Sequence, residues 1–339
     1  MNRNERAFAN RVQNWTSYGS RSLHAAGRPE LRQVETTSVC NLRCVFCPYD
    51  QLTREKHHMD LERFRELLHR EELLHIDELA LHHFGEPFLQ ANFAKYVQVA
   101  TDLGIQTVVS SNMNTLPESL ARDVLAAGLS RLIISVDAAD PVTYGRLRVR
   151  GHLERVEENI RTMLTVKSEL KSEVFIQVQF IQTPENSSEI GEFEERWTST
   201  PGIDQVVIRR ERTHAGQVVR HDKYDKRFED RQPCRYLWES LVVVQDGTVV
   251  PCCKDFDAKM PLGNAFADSL NDIWNGEGAR KMRAQHIEGS YESLPVCATC
   301  TEWRGSPEFA PDEAQRRVQE FADMKESFRR EQRHLRVWE

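Results

Sequence analysis

Three cysteines in the N-terminal part of the chain, Cys40, Cys44 and Cys47, have a spacing that can hold an iron–sulfur cluster. They follow a β-like run in the order C-x3-C-x2-C and precede a polar loop. Three thiolates on one short loop can ligate three irons of a cubane cluster, which leaves the fourth iron without a protein ligand. Such an iron can bind a small molecule directly. The alternative is a structural zinc site, although structural zinc takes four ligands and favours C-x2-C pairs.

Length and composition bound the class of protein. The 339 residues suffice for two domains, or for one large α/β domain with an appendage. No apolar run is long enough to span a membrane, and no apolar stretch near the start indicates a signal peptide. We therefore expect a cytoplasmic protein whose eight cysteines are metal ligands rather than disulfides. The net charge of −7, without a dense basic stripe, argues against nucleic acid as a partner and is compatible with a cationic small molecule.

Short apolar runs alternate with amphipathic stretches about six times between residues 31 and 210. The predicted strands are Leu31–Thr36, Ile76–His82, Gln106–Ser110, Arg131–Val136, Val174–Gln182 and Gln205–Arg209. The predicted helices between them are Asp60–Leu74, Phe93–Leu103, Pro117–Ala127, Leu153–Leu170 and Ser188–Trp197. This alternation indicates βαβ units and a parallel sheet. We therefore expect an α/β fold, a partial (βα)6 TIM-like barrel, with ligands bound at the carboxyl ends of its strands.

The cysteine loop, with Phe46 before its last cysteine, resembles the cluster-binding loop of the radical S-adenosylmethionine (SAM) enzymes. The segment Gly85-Glu86-Pro87 resembles the Gly-Gly-Glu-Pro motif of that family, with Phe84 in place of the first glycine. The resemblance implies a SAM-binding [4Fe–4S] cluster on the three cysteines of the loop. It also implies a reducing partner such as flavodoxin or ferredoxin.

The same resemblance implies which residues bind SAM. Gly85 would allow close backbone approach, and Glu86 with nearby carbonyls would bind the methionine amino group. Ser135 and Asp137 would bond the ribose hydroxyls, and Arg148 would pair with the carboxylate; the alternative for Arg148 is a solvated arginine at a helix end. A segment after the third strand is similar to the family's Thr-Asn-Gly stretch, without its glycine. The implied SAM-binding residues are Gly85, Glu86, Asn112, Ser135, Asp137 and Arg148.

Five further cysteines lie in the C-terminal third, and their surroundings resemble the "twitch" domain, a shortened SPASM domain that holds an auxiliary cluster. These cysteines are Cys234, Cys252, Cys253, Cys297 and Cys300. Four of them can bind one [4Fe–4S] cluster, most economically Cys234, Cys252, Cys297 and Cys300. Zinc is the alternative for this set. Cys253 is left over, and it could replace Cys252, lie buried as a small apolar residue or donate a hydrogen atom to a substrate radical.

The remaining segments complete the predicted domain organisation. A charged linker is expected at 211–233, a hairpin around Asp246-Gly247 and a helix over Ser269–Ala284. We expect a small C-terminal α+β domain followed by a charged amphipathic helix. The predicted boundaries are 1–30 for an N-terminal extension, 31–210 for the barrel, 211–305 for the auxiliary domain and 306–339 for the C-terminal helix.

The resemblance implies that the reduced SAM-bound cluster produces a 5′-deoxyadenosyl radical, which removes hydrogen from an unactivated C–H bond. A second cluster can accept an electron from the substrate radical. The chain is similar in this respect to the radical SAM dehydrogenases that oxidise 2-deoxy-scyllo-inosamine in aminoglycoside assembly. We therefore expect oxidation of a secondary alcohol on a sugar, aminocyclitol or nucleoside, in antibiotic biosynthesis.

Other outcomes stay open at this point. Epimerisation, with Cys253 returning a hydrogen atom, and decarboxylation of a sugar acid are redox-neutral alternatives. Peptide modification, and a non-catalytic iron–sulfur or zinc scaffold, are further ones. Oxidation would need a proton acceptor, for which the candidates are Arg212, His214 and a carboxylate within Glu192–Glu195.

Overall fold

The structure, a computed structural model, describes residues 1–218, 230–330 and 334–337, and residues 219–229 of the predicted linker lie outside it. Its strands are β1 (Leu31–Val34), β2 (Arg43–Cys44), β3 (Glu78–Ala80), β4 (Gln106–Ser111), β5 (Arg131–Ser135), β6 (Arg148–Val149), β7 (Phe175–Gln182), β8 (Gln205–Arg210), β9 (Leu241–Val243), β10 (Thr248–Val250), β11 (Gly263–Asn264) and β12 (His334–Val337). Its α-helices are α1 (Arg3–Gly19), α2 (Leu61–Leu68), α3 (Phe93–Asp102), α4 (Glu118–Ala126), α5 (Pro141–Leu147), α6 (Leu153–Glu169), α7 (Ile190–Thr198), α8 (Tyr236–Glu239), α9 (Leu270–Trp274), α10 (Glu277–Glu288) and α11 (Pro311–Arg330).

One large sheet organises the molecule, with the strand order β11-β10-β9-β1-β3-β4-β5-β7-β8-β12. The six predicted barrel strands are all present, and β1, β3, β4, β5, β7 and β8 lie side by side in parallel. Helices α2, α3, α4, α6 and α7 connect them, as the alternating pattern predicted. The α/β prediction is therefore confirmed, and the carboxyl ends of the strands lie at one edge of the sheet.

The two faces of this sheet differ in polarity. Leu132 and Ile134 of β5 are buried in the main core, on the face that the helices cover. Because side chains alternate along a strand, Arg131 and Ser135 lie on the opposite face, which we call the inner face. Gln177 of β7 belongs to it as well, since it is paired in register with Ile133. A polar inner face inside an apolar outer layer is a surface suited to a polar ligand.

The predicted hairpin is present but belongs to the barrel sheet. Strands β9 and β10 pair in antiparallel around Asp246-Gly247, and Gly247 adopts a positive φ of 88° that suits glycine. Strand β9 also pairs in parallel with β1, with Val34 opposite Val243. The auxiliary region is therefore fixed to the barrel by backbone hydrogen bonds.

Several helices differ in extent from the predictions. The helix expected over Asp60–Leu74 ends at Leu68 and is followed by a 3-10 turn at Glu71–Leu73. The segment Ser269–Ala284 is not one helix. It contains α9, which ends at Trp274, and the first part of α10, for which Gly276 is the N-cap. Among the described residues no helix combines the length and the apolar character needed to cross a bilayer.

The two ends of the chain pack together on the outside of the barrel. Helix α1 lies against α11, and the ring centroids of Trp15 and Phe321 are 6.3 Å apart. The prediction of a single helix through residue 339 was wrong, because α11 ends at Arg330 and residues 334–337 form β12. This strand pairs in parallel with β8 and covers an edge that β8 would otherwise expose.

A buried ion pair joins the end of β1 to the auxiliary region. Glu35, which is fully buried, forms an ion pair with Arg54 at 2.6 Å and accepts a hydrogen bond from Nη2 of Arg54 at 2.7 Å. Arg54 also donates from Nε to the carbonyl of Phe256 at 2.8 Å, and Glu35 accepts from the backbone N–H of Phe84 at 3.1 Å. Three separate segments therefore converge on one buried, charge-assisted hydrogen bond.

We predict that Arg54→Leu lowers the free energy of unfolding by about 3 to 5 kcal/mol, because it leaves the Glu35 carboxylate buried without its partner. Anaerobic urea unfolding followed by tryptophan fluorescence measures the change. Arg122→Leu is the control, since Arg122 forms its ion pairs with Glu118 and Glu169 on an exposed surface. An equal shift of the midpoint in both variants would contradict the assignment of a buried pair.

Candidate iron–sulfur and cofactor site

The predicted cluster loop lies at the carboxyl end of β1. Cys40, Cys44 and Cys47 are all half-buried, and none forms a disulfide. Cys44 belongs to β2, which pairs in antiparallel with β6 so that Cys44 is opposite Arg148. The sequence pattern did not reveal this short ladder. It fixes the middle cysteine of the loop beside the segment that was expected to bind SAM.

The three thiols lie close enough to influence one another. Burial, with a contribution from the nearby thiol of Cys44, raises the pKa of Cys40 and of Cys47 to about 12. The backbone N–H groups of Leu42 and Tyr49 donate to these sulfurs and oppose the rise. Ligation of iron deprotonates a thiol outright, so these buried sulfurs could bind iron as thiolates in spite of their raised pKa. The donor set fits three corners of a cubane cluster.

Gly85 packs directly against the backbone that leads into the loop. A Cβ atom at this position would overlap the carbonyl oxygen of Thr37 and lie 3.0 Å from that of Val39. Glu86 adds a hydrogen bond from its backbone N–H to the Val39 carbonyl, at 2.8 Å. The expected close approach is present, and its partner in this structure is the chain's own backbone. The turn after β3 thereby supports the segment that carries Cys40.

The Glu86 carboxylate connects two strand ends instead of pointing into open space. It is buried and accepts from the Ser111 hydroxyl at 2.8 Å and from the Asn112 N–H at 2.7 Å. Burial raises its pKa, and these donors oppose the rise. That the nearby backbone carbonyls bind the amino group of SAM therefore stays a prediction.

Asn112 couples the end of β4 to the cluster loop. Its side-chain amide donates to Asn41 at 2.9 Å, and its oxygen accepts from the Asn114 N–H at 2.9 Å. Asn114 in turn donates to the Tyr144 hydroxyl at 2.6 Å. Sequence analysis missed Asn41 and Asn114; their positions beside Cys40 and Asn112 were the only available signal.

Arg148 and Asp137, which were both expected to bind SAM, pair with each other. The carboxylate of Asp137 is fully buried and accepts from the Arg148 guanidinium and from the Ile181 N–H, the latter at 2.6 Å. An Arg148 nitrogen also lies 3.7 Å from the Cys44 sulfur. The ribose contact therefore stays a prediction for Ser135, at the end of β5. The contact between Arg148 and the SAM carboxylate also stays a prediction. Asp137 holds Arg148 beside the cluster loop.

The four cysteines expected to hold the auxiliary cluster converge. A hydrogen bond with Cys253 and burial raise the pKa of Cys252, and burial raises that of Cys297 and Cys300. The nearby thiol of Cys234 adds to the rise in all three. Backbone N–H groups donate to three of these sulfurs: Lys254 to Cys252 at 3.4 Å, Glu302 to Cys300 at 3.3 Å, and Arg304 to Cys234 at 3.4 Å. Hydrogen bonds to sulfur are a feature of iron–sulfur ligands. Cys252 shares this pattern, which supports it over Cys253 as a ligand.

Neither cysteine group has the geometry of a single-ion site. Across residues 1–218 and 230–330, no three cysteine, histidine or carboxylate side chains are close enough to hold one metal ion. In a cubane cluster each thiolate bonds a different iron, so cluster ligands lie further apart than the ligands of one zinc ion.

Cys253 lies between the auxiliary site and the barrel. Its carbonyl oxygen is 2.9 Å from Nε2 of His83, in the turn after β3. A hydrogen bond with Cys252 lowers the pKa of Cys253 well below its ordinary value, and the charges of Lys254 and of Arg32, on β1, add to this. The leftover cysteine is therefore placed next to the barrel strands.

The structure brings two of the candidate proton acceptors together and separates the third. His214 packs against Phe84, with ring centroids 5.6 Å apart, and Arg212 pairs with Glu302 at 3.6 Å. The proposal of a carboxylate within Glu192–Glu195 was wrong, because these residues lie on α7, which covers the outer face of the sheet.

We predict that Gly85→Ala destabilises the protein by roughly 3 kcal/mol, because its Cβ would force the backbone at Thr37 to move. Urea unfolding measures this, and iron analysis should show a loss of the cluster on the adjoining loop. Gly191→Ala is the matched control, since a Cβ there, within α7, meets nothing within 4 Å. We expect that control to be neutral or stabilising by up to about 1 kcal/mol. Equal destabilisation of both variants would refute the packing argument.

We further predict that Cys252→Ser reduces the iron content from about eight to about four atoms per chain, because it removes a ligand of the auxiliary cluster. Cys253→Ser, one residue away, should retain about eight. Iron and sulfide analysis after anaerobic reconstitution measures both variants. The reverse result would assign Cys253 as the ligand.

Family models identify the two cysteine regions. The radical SAM superfamily model matches residues 34–177, and the SPASM model, an iron–sulfur cluster-binding domain, matches residues 234–301. Together they match more than half of the chain. The first match contains the cluster loop, and the second contains all five C-terminal cysteines, so both family predictions are confirmed.

Two curated relatives illustrate the range of activities. The S-adenosyl-L-methionine-dependent 2-deoxy-scyllo-inosamine dehydrogenase of Niallia circulans is 22% identical over 274 residues, which are 79% of this chain and 91% of that protein. The GTP 3',8-cyclase of Peptoclostridium acidaminophilum is 30% identical over 138 residues, 40% of this chain and 42% of that protein. The chain thus spans less than half of the length of this second relative.

Solved structures agree with the fold. BtrN in complex with AdoMet and 2-DOIA superposes with a TM-score of 0.55 at 20% identity, covering 83% of this chain and 96% of that one. Streptococcus suis SuiB bound to S-adenosylmethionine gives a TM-score of 0.62 at 14% identity, covering 85% and 77%. The domain matches and the fold lead to one conclusion: the chain is a radical SAM enzyme with a C-terminal SPASM domain, and its cofactors are S-adenosyl-L-methionine, a [4Fe–4S] cluster and auxiliary iron–sulfur.

Proposed function

We propose that this enzyme oxidises a secondary alcohol of a sugar, aminocyclitol or nucleoside to a ketone. The observation that carries the proposal is the position of the auxiliary cysteines beside the barrel. Cys253, next to the proposed ligand Cys252, contacts His83 after the carboxyl end of β3 through its carbonyl. A cluster on these cysteines would lie near the edge of the sheet where radical SAM enzymes bind their ligands. The Niallia circulans relative, a dehydrogenase by name, supports the same reading.

The chemistry divides between the cofactors and the chain. When bound, SAM and its cluster supply a 5′-deoxyadenosyl radical, and the auxiliary cluster supplies an electron acceptor. The substrate carbon loses one hydrogen atom, then one electron and the hydroxyl proton, which leaves a ketone. The chain's own part is to position SAM through Arg148 and the turn around Gly85, to exclude water and to accept that proton.

His214 is the proton acceptor we propose. Burial and the nearby charge of Lys254 lower its pKa to about 4, so the imidazole is neutral near pH 7 and can accept a proton. Its Nδ1 is buried without a hydrogen-bond partner among the described residues. A guanidinium group has only hydrogen-bond donors, so the role we propose for Arg212 is to bind and orient the substrate.

A redox-neutral epimerisation is the second candidate, and the position of Cys253 favours it. Arg32, on β1, is close enough for its charge to contribute to the lowered pKa of the Cys253 thiol. A thiol at this position could return a hydrogen atom to the substrate carbon. Electron delivery by flavodoxin or ferredoxin, and a place in antibiotic biosynthesis, belong to the proposal in either case.

A product assay separates the two reactions. Anaerobically reconstituted enzyme, supplied with SAM and reduced flavodoxin, is incubated with candidate alcohols in D2O. Oxidation predicts one 5′-deoxyadenosine per ketone, no deuterium on carbon and a large loss of ketone in His214→Ala. Arg210→Ala, on an exposed side chain of β8, is the control. Deuterium on the reacting carbon that disappears in Cys253→Ala would contradict oxidation.

A further inference from the structure

A largely buried pair of opposite charges lies beside the ligands expected for the auxiliary cluster. Nζ of Lys254 is 2.5 Å from Oε2 of Glu302, and the two side chains are only 14% and 9% exposed. The backbone N–H of Lys254 donates to the Cys252 sulfur at 3.4 Å, and that of Glu302 donates to the Cys300 sulfur at 3.3 Å. The ion pair therefore connects the two segments that carry these cysteines.

The carboxylate of Glu302 is also fixed by the segment 213–217, which follows β8. Its Oε1 accepts from the Thr213 hydroxyl at 3.1 Å and from the Ala215 N–H at 3.4 Å. These two donors flank His214 in the chain. The negative charge of Glu302 is therefore held in place by the segment that carries the proposed proton acceptor.

Lys254 is held to the same segment through its backbone. The side-chain amide of Gln217 donates to the carbonyl of Lys254 at 2.9 Å and to that of His214 at 2.8 Å. A second cation, Arg212, lies 3.6 Å from the Glu302 carboxylate, so Lys254 is the closer of the two. Because several contacts hold both members of the ion pair, the fold sets their distances to the cysteines.

Fixed charges next to an iron–sulfur cluster change its reduction potential. Reduction adds one negative charge to the cluster, so a nearby ammonium group raises the potential and a nearby carboxylate lowers it. These effects are strong only where the charges are shielded from water and salt. Lys254 and Glu302 meet this condition, and each is two residues from a cysteine that is expected to bind the cluster.

We propose that Lys254 and Glu302 are positioning residues that set the reduction potential of the auxiliary cluster. Lys254 acts beside Cys252 and Glu302 acts beside Cys300, so the two charges oppose each other. The inference rests on the proposed function, in which the electron lost by the substrate radical reduces this cluster. Since that electron moves only to an acceptor of higher potential, the ion pair influences the step that forms the ketone.

A redox titration tests the inference without substrate. Anaerobically reconstituted, full-length enzyme is equilibrated with mediators over a series of potentials, and electron paramagnetic resonance follows the cluster whose signal SAM leaves unchanged. We expect Lys254→Met to shift the equilibrium about tenfold toward the oxidised cluster, which lowers the midpoint potential by about 59 mV. Glu302→Gln should shift it about tenfold in the opposite direction, and the double variant should lie near the wild type.

Two matched variants separate the effect of charge from that of structure. Lys259→Met removes a lysine that is exposed, five residues further along the chain, and should titrate like the wild type. Lys254→Arg keeps the positive charge and should stay within about twofold of the wild-type equilibrium. Iron analysis should give about eight atoms per chain in every variant. A purely structural role of the ion pair predicts the contrary, a loss of iron in both single variants without opposite shifts in potential.

Three further outcomes would overturn the inference: both single variants titrate like the wild type, both shift in the same direction, or Lys259→Met shifts as far as Lys254→Met. Failure of the proposed oxidation is a separate result. If the potentials shift as expected and no ketone forms, the reaction assignment fails and the role of the ion pair stands.

Discussion

The backbone contact between Gly85 and Thr37 is the constraint on which the rest of the site depends. It requires a residue without a side chain after β3, and it fixes the segment from which the first cluster cysteine emerges. Glu86, the next residue, then connects to the end of β4 through Asn112, and Asn112 returns to the cluster loop through Asn41. The cysteine loop is thus held by strand ends rather than by its own sequence. Such support is what a precisely positioned binding site needs from a scaffold.

The second organising feature is continuity between barrel and auxiliary region. Because β9 pairs with β1, the segment that carries Cys252 is attached to the same sheet as the cluster loop. The ion pair between Glu35 and Arg54 adds a side-chain contact at the same junction. The two cysteine groups therefore keep a fixed relation, with the polar inner face of the sheet beside them. This arrangement suits chemistry in which one group starts a radical reaction and the other receives an electron.

The sequence predicted local patterns well and long-range contacts poorly. The six strands followed from short apolar runs between amphipathic stretches, and the cluster loop followed from cysteine spacing. The pairing of β9 with β1 joins segments about 200 residues apart, which no local pattern encodes. Asp137 illustrates the same limit: its position after a strand was correct, but its bond to Arg148 depends on the short β2–β6 ladder. Strand β12 was missed because a charged, amphipathic segment precedes it.

Electron paramagnetic resonance of the reduced enzyme, with and without SAM, tests the central claim most directly: that the loop of Cys40, Cys44 and Cys47 holds a cluster with one iron open to SAM. The account predicts that SAM changes the spectrum of the wild type and of Cys252→Ser, and that Cys44→Ser shows no such change. A spectrum that is the same with and without SAM in the wild type would contradict it.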